Sequence, residues 1–316
     1  MTLRAALVGV MFAVALAACA PGRPALPAGA AVPAIGETLR VRHAGRVETV
    51  PIDAYAAAVA LTEIAPGAVS AAAADALYES QIIVARTYAV SRRGRHGAEG
   101  FDLCDTTHCQ RYEPARLKSA RWAALAARVA SRTSRSVLVH DGRLIEAVFH
   151  ADCGGHTADA RDVWGAGRAY LVAKRDAIRD PHREWTVDLD AAELVQTLAA
   201  DRRTRVEPPL RDLVIVRRDR SGRAARIRLA GRAPVEVDGD VFRAVVTAGL
   251  GLRALPSTRF TLRRQGRGWQ LRGTGFGHGV GLCQAGALSR ARAGAKGAEI
   301  LGFYYPGAII RRAPVR

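Results

Sequence analysis

The chain of 316 residues lacks any apolar run long enough to cross a membrane as a helix, which takes roughly 20 residues. It has no convincing internal repeat, so a solenoid or propeller is excluded. Lysine is nearly absent: Lys118, Lys174 and Lys296 are the only ones, and arginine carries the rest of the positive charge. Cysteines are few as well, at positions 19, 104, 109, 153 and 283. Five cysteines in a chain of this length are too few for a disulfide-built scaffold, so a packed core must hold the fold. About half the residues are apolar, which supplies that core.

The first apolar stretch, Ala5 to Ala18 after the single charge of Arg4, is on the order of 15 residues and reads as an export signal. It ends in Leu16-Ala17-Ala18-Cys19, the pattern of a lipobox, so residues 1–19 are expected to be a lipoprotein signal peptide with Cys19 as the lipidation site. Residues 20–36 are mostly Pro, Ala and Gly, with Pro21, Pro24, Pro27 and Pro33, an extended tether. Attachment to a membrane through the lipid follows, facing the periplasm or the outside. Ala20 rather than Asp after the cysteine favours the outer membrane in a host with two. The net charge of +18 suits anionic polymers and headgroups at a cell surface. Nucleic acid, the usual partner of so basic a chain, is not expected at that address.

The body alternates helical and hairpin signals. Leu39–Val50 reads as a hairpin turning at Ala44-Gly45, and Ile52–Ile64 as a helix between Pro51 and Pro66-Gly67. Ser70–Ser91 is a longer helix, apolar on all sides at Ile82-Ile83-Val84-Ala85 and therefore buried. Leu117–Arg132 reads as a third helix and Ser136–His150 as a hairpin turning at Asp141-Gly142. Further on come a strand at Glu184–Asp188, a helix at Ala191–Ala200, a hairpin over Asp212–Leu229, a helix at Gly239–Ala248 and a hairpin over Arg259–Gly273. Two helices close the chain. Helices and antiparallel hairpins without strand-helix alternation imply an α+β fold around one core over residues 37–310. Residues 188–255 separate two motif-rich parts and are a candidate for a small inserted α/β subdomain. Residues 311–316 read as a basic tail.

Glycines and histidines collect in three loops: Phe101 to Tyr112, Phe149 to Thr157 with Trp164 downstream, and Gly273 to Gly286. Loops of this kind on a rigid scaffold commonly carry sites. Cys104 and Cys109, with His96 upstream, have the soft donors that suit zinc. Adjacent His108 and Cys109 are not expected to share one ion, so His108 is assigned to the substrate side. A disulfide joining Cys104 to Cys109, or either to Cys153, is the open alternative.

These three loops, together with Ser80-Gln81-Ile82-Ile83-Val84-Ala85-Arg86-Thr87-Tyr88 and Phe303-Tyr304-Tyr305-Pro306-Gly307, resemble in order the sporulation stage II protein D (SpoIID/LytB) family. The resemblance covers most of residues 37–310. It implies a protein that binds peptidoglycan glycan strands and cleaves them as a lytic transglycosylase, or else a non-catalytic enhancer of a peptidoglycan amidase. A purely structural envelope protein is the third reading. Lytic transglycosylase chemistry needs one acid, which protonates the glycosidic oxygen and then takes the proton of the sugar's 6-hydroxyl. The paired carboxylates of most glycosidases are not required. The family's catalytic glutamate precedes the Gln…Ala-Arg-Thr helix in an acid-Met-Pro-like segment, and its match is Glu63, although Ile64-Ala65 replaces the Met and shifts the proline to Pro66. Leu61, Ile64 and the alanines around Glu63 give a setting that raises a carboxyl pKa. Glu79 and Glu146 are the rivals.

His108 and His278 are the further candidates at the reacting sugar, and Gln81, Arg86, Tyr112, His156 and Gln284 form the candidate substrate-binding set. Gln81 and Arg86 lie on a buried helix, which favours their fixing neighbouring loops. Tyr88, Tyr112, Trp164, Tyr304 and Tyr305 are candidates for stacking on sugars, with core packing the commoner use. His43, His140 and His182 have no distinguishing context.

Overall fold

A computed structural model describes residues 32–178 and 180–315, so the lipobox, Cys19 and most of the tether lie outside the described residues. The described residues form one compact unit, and their mixture of helices with antiparallel sheets is α+β. Strands β1 (Thr38–His43) and β2 (Arg46–Pro51) form the first hairpin, with Leu39 opposite Val50. Its turn takes Ala44 and Gly45 to positive φ. Helix α1 (Ile52–Glu63) begins at once after Pro51 and stops where the backbone of Ile64 turns extended. Helix α2 (Ala71–Ser91) is capped by the Ser70 side chain, which accepts the N–H of Ala73. The unbroken apolar centre of α2 is buried all round. One face packs on α1 and the hairpin, and the other on the C-terminal helices.

Strand β3 (Leu103–Cys104) pairs parallel with β1 through Val41 and Leu103. Helices α3 (Arg116–Ser119) and α4 (Ala123–Arg132) replace the single helix expected over Leu117–Arg132. The break falls where Leu117, Ala120 and Trp122 turn onto the first core cluster. The expected Ser136–His150 hairpin is shorter: β4 (Ser136–His140) and β5 (Arg143–Leu144) close at Asp141-Gly142. Beyond it, β6 (Phe149–His150) leaves the hairpin, because it pairs parallel with Leu282-Cys283 far along the chain. Helix α5 (Ala160–Trp164) follows.

Residues 184–274 carry a hydrophobic cluster of their own, centred on Leu194, Leu229, Phe242, Trp269 and Leu271. It is built from β7 (Glu184–Asp190), α6 (Ala191–Ala199), β8 (Asp212–Arg218), β9 (Ala224–Ala230), β10 (Val235–Asp238), α7 (Gly239–Leu250), β11 (Phe260–Gln265) and β12 (Gly268–Thr274). Two antiparallel sheets, β10-β9-β8 and β11-β12-β7, flank it. The chain then returns through β13 (Leu282–Cys283), α8 (Gln284–Arg292) and α9 (Gly297–Tyr304) to β14 (Ile309–Arg312). The expected basic tail at 311–316 is corrected by this last strand, which pairs with β4 through Ile310 and Leu138. Ala313 is buried and Val315 bridges Ile35, itself buried. The backbone pairing and those apolar side chains outweigh the exposed arginines. No helix among the described residues is long and apolar enough to cross a membrane.

Candidate functional site

Glu63 is the last residue of α1, half-buried, with the loop after Cys109 laid across it. The backbone N–H of Arg111 donates to Glu63 Oε1 at 3.2 Å, and the N–H of Glu113 donates to Thr62 Oγ1 at 3.3 Å. Burial raises the Glu63 pKa above the ordinary carboxyl value. The Arg111 N–H and guanidinium oppose that rise, and the charge of Glu113 adds to it. The rivals sit differently. Glu79 is paired with Arg132 at 3.2 Å, and Glu146 lies between Arg92 at 3.4 Å and Arg168 at 3.1 Å. Among the described residues Glu63 forms no such ion pair.

The same loop gathers His96, Cys104, His108 and Cys109, whose donor atoms all lie within 4.8 Å of one another. His96 Nε2 is 3.4 Å from Cys109 Sγ, and His108 Nδ1 is 3.7 Å from Cys104 Sγ and 3.6 Å from Cys109 Sγ. The expectation that adjacency keeps His108 apart from Cys109 is therefore corrected. The backbone lets both side chains turn to one point, and Arg95 fixes the far nitrogen of His108 at 3.2 Å. Burial raises the Cys104 thiol, but hydrogen bonds from Thr106, His108 and Cys109 outweigh it and bring the pKa down to about 6. Burial and the neighbouring Cys104 push Cys109 up to about 11. His96 Nδ1 is held by Glu99, the carboxylate–histidine pairing that orients metal-bound imidazoles. Two thiols and two imidazoles with mutually close donors fit a tetrahedral zinc site. All four described cysteines are free thiols.

The other sequence-selected residues fall elsewhere. Arg86, counted with the substrate-binding set, is fully buried. Its Nε donates to Asp53 Oδ1 at 2.7 Å, while the guanidinium also reaches the carbonyls of Ser136 and Ala130. These bonds tie α2 to α1, α4 and β4, and they leave the side chain no route to a ligand. Tyr112 is also corrected: it is buried and stacks on Tyr55 with ring centroids 5.0 Å apart. Gln81 is fully buried and neither amide atom has a partner among the described residues. His156 is half-buried with Nδ1 on the Thr157 carbonyl at 2.9 Å, and Gln284 opens α8 with a buried, unpartnered Nε2.

His278 sits half-buried in the third glycine loop, its ring 5.2 Å from that of Trp164. Its Nδ1 accepts the Val280 N–H at 3.1 Å. Desolvation and the charges of Arg243 and Arg223 bring its pKa down to about 3. The ring is held in its own loop, which joins β6 through β13, and the lowered pKa favours the neutral imidazole. Gly281 makes that junction fit, since its φ is positive and a β-carbon there would meet the Val148 carbonyl. Of the aromatic candidates, Trp164 stands out as 42% exposed; Tyr88, Tyr112, Tyr304 and Tyr305 are buried.

Sequence reasoning passed over His182, whose Nδ1 lies 2.7 Å from Asp152 Oδ1. Asp152 also accepts the N–H of Gly154 and of Arg183, so it anchors the second glycine loop. It missed Asp176 too, a buried carboxylate held by Tyr304 and Arg290, each at 2.7 Å. Neither residue stands in a motif. A groove of about 500 Å³ runs beside Trp185, Arg272 and Thr274 and contains none of the residues around Glu63.

The site is thus a single half-buried carboxyl on a helix end, held by a loop whose thiols and imidazoles converge. A family model described as Stage II sporulation protein matches residues 41–140, and one described as a domain of unknown function (DUF8618) matches residues 160–281. An uncharacterized protein of Brachyspira hyodysenteriae is 31% identical over 232 residues, covering 72% of this chain and 59% of its own length. The amidase enhancer of Bacillus subtilis is 25% identical over 272 residues, covering 72% of this chain and 37% of its own. Stage II sporulation protein D of Bacillus subtilis is 27% identical over 285 residues, covering 84% and 76%. The chain therefore spans less than two thirds of the first two of these relatives. It belongs to the SpoIID/LytB family.

Proposed function

We propose that this protein acts on peptidoglycan glycan strands and cleaves them without water, as a lytic transglycosylase, with Glu63 as the one acid and base. The observation that carries the reading is the Glu63 carboxyl itself: half-buried, raised in pKa, and free of an ion pair among the described residues. Protonated, it gives its proton to the glycosidic oxygen. As the carboxylate it then takes the proton of the sugar's 6-hydroxyl, whose oxygen closes the anhydro ring on the anomeric carbon. The Arg111 N–H fixes the orientation of the carboxyl through both steps.

His96, Cys104, His108 and Cys109 would hold a zinc ion, whose part is to fix the loop that carries Arg111. The expected export signal and Cys19 put the domain in the cell envelope as a membrane-anchored lipoprotein. The second reading, an enhancer that recruits or stimulates a peptidoglycan amidase, is favoured by the similarity to a protein named amidase enhancer. Digestion of purified glycan strands stripped of peptide separates the two. Anhydro-muramyl ends with the wild type and none with Glu63→Gln support cleavage. No such ends from the wild type, with an added amidase accelerated in its presence, support the enhancer and sink the cleavage reading.

A further inference from the structure

Cys153 and Cys283 are 130 positions apart, yet both are fully buried and their sulfurs lie within 4.8 Å of each other. Local pairing brings them together. β6 and β13 run parallel with His150 opposite Cys283, and Asp152 and Phe276 exchange backbone hydrogen bonds alongside. The N–H of Cys153 donates to Cys283 Sγ at 3.2 Å, and the N–H of Gly286 donates to the same sulfur at 3.3 Å at the start of α8. The Cys153 thiol points at Asp176 Oδ2, 3.5 Å away.

We propose that Cys153 and Cys283 are oxidised to a disulfide that staples the second glycine loop to the third. The oxidant is a disulfide, either a small molecule of the oxidised glutathione class or the active-site disulfide of an oxidoreductase. Both S–H bonds break and one S–S bond forms. The two sulfurs give up two protons and two electrons, and the oxidant's disulfide is reduced to two thiols. Both sulfurs are enclosed in the folded protein, so the exchange takes place during folding. Asp176 loses only its long contact to a thiol and keeps Tyr304 and Arg290, each at 2.7 Å.

A second metal ion is the competing use, since His150 lies within the same 4.8 Å. Three donors fall short of a closed structural zinc site. The Arg223 guanidinium, 1% exposed and donating to the Cys153 carbonyl at 2.8 Å, adds a positive charge that opposes a divalent cation there. A disulfide is neutral and meets no such opposition. Cys104 and Cys109 are already grouped with two imidazoles, so they do not compete for this pairing.

The test refolds the full-length chain with one equivalent of zinc in a glutathione redox buffer, then alkylates it under denaturing conditions and maps it with trypsin. The cysteines fall in separate peptides: residues 96–111 hold Cys104 and Cys109, 144–161 hold Cys153, and 273–290 hold Cys283. Expected are the 144–161 and 273–290 peptides recovered linked, with 96–111 carrying two alkyl groups. The oxidised wild type should also melt higher than the reduced form, by roughly 5–10 °C, because the bond closes a long loop. Free alkylated thiols in both peptides, a link to the 96–111 peptide, or a second tightly held zinc would each overturn the proposal. These readouts use the wild-type chain, so no outcome hinges on whether a Cys153→Ala/Cys283→Ala variant folds.

Discussion

The backbone N–H that orients Glu63 belongs to Arg111, which stands two positions after Cys109, so the loop carrying the thiols also holds the carboxyl. One hydrogen bond at 3.2 Å therefore links a candidate metal centre to a candidate acid. Glu63→Gln keeps the side-chain oxygen that accepts this N–H but cannot ionise. Cleavage of stripped glycan strands should fall by about 10²–10⁴-fold, the range for loss of a general acid–base. The thermal transition should remain cooperative. Mass spectrometry of the digest, with melting followed by circular dichroism, checks both.

The raised Glu63 pKa also fixes the sign of a pH effect on stability. The folded state holds this proton more tightly than the unfolded chain does, owing first to burial. The associated stability is fully present below the unfolded glutamate value of about 4.3 and is lost as pH rises through the folded pKa. Glu63→Gln should therefore match the wild type in acid and be the more stable protein at pH 7–8. Urea titrations of the pair at several pH values read this directly. A variant less stable than wild type at neutral pH would mean that the carboxylate is favoured in the fold.

Much of this was legible in the sequence and some was not. The burial of α2 follows from an apolar centre with no polar face, and the hairpin at Ala44-Gly45 from its turn residues. Glu63 could be picked out because family resemblance and local apolar neighbours agreed. Arg86 and His278 were counted among the substrate residues on motif membership, which does not say which way a side chain points, although the buried helix already favoured Arg86 fixing neighbouring loops. Arg86 turns inward, to the carbonyls of Ala130 and Ser136, 44 and 50 positions away. The pairing of Asp152 with His182 depends on a loop crossing that no local pattern encodes.

Arg86 should matter to stability and not to the glycan. Replacing it with Met leaves Asp53 half-exposed but without its cation, and strips the Ser136 and Ala130 carbonyls of a donor. Breaking a buried ion pair from one side costs about 3–5 kcal/mol, and the solvent around Asp53 puts this case near the lower end. Chemical denaturation should show that loss, while the KM of the protein that remains folded stays unchanged. A raised KM with full stability would return Arg86 to the substrate-binding set.

His278 provides a test on the acid side. Its pKa of about 3 lies below the unfolded histidine value of about 6.5. A depressed pKa gives stability that is present above the unfolded value and is lost as pH falls from there toward the folded one. His278→Asn should flatten the fall in wild-type stability between about pH 6.5 and pH 4, although it lowers stability at neutral pH by disturbing the bond from the Val280 N–H. The His278 imidazole signals in NMR should stay in the neutral form across that range. A titration near the ordinary value would show a ring open to water and available to substrate.

The shared cluster makes a prediction that separates four ligands from three. If His108 joins His96, Cys104 and Cys109 in holding zinc, His108→Ala should lose zinc on dialysis against a mild chelator that the wild type withstands. A His108 on the substrate side would leave the metal in place and change only turnover. Glu99 acts one step further out, on His96 Nδ1. Glu99→Gln should weaken zinc affinity by about 10–100-fold, the usual effect of removing a partner that orients a ligand. Because Arg111 follows this loop directly, zinc removal should also free the N–H that holds Glu63. Cleavage by the metal-free wild type should then fall although no ligand touches the reacting sugar, and it should return when zinc is restored. Competition with a colorimetric zinc chelator, run beside the glycan digest, measures affinity and activity in one preparation.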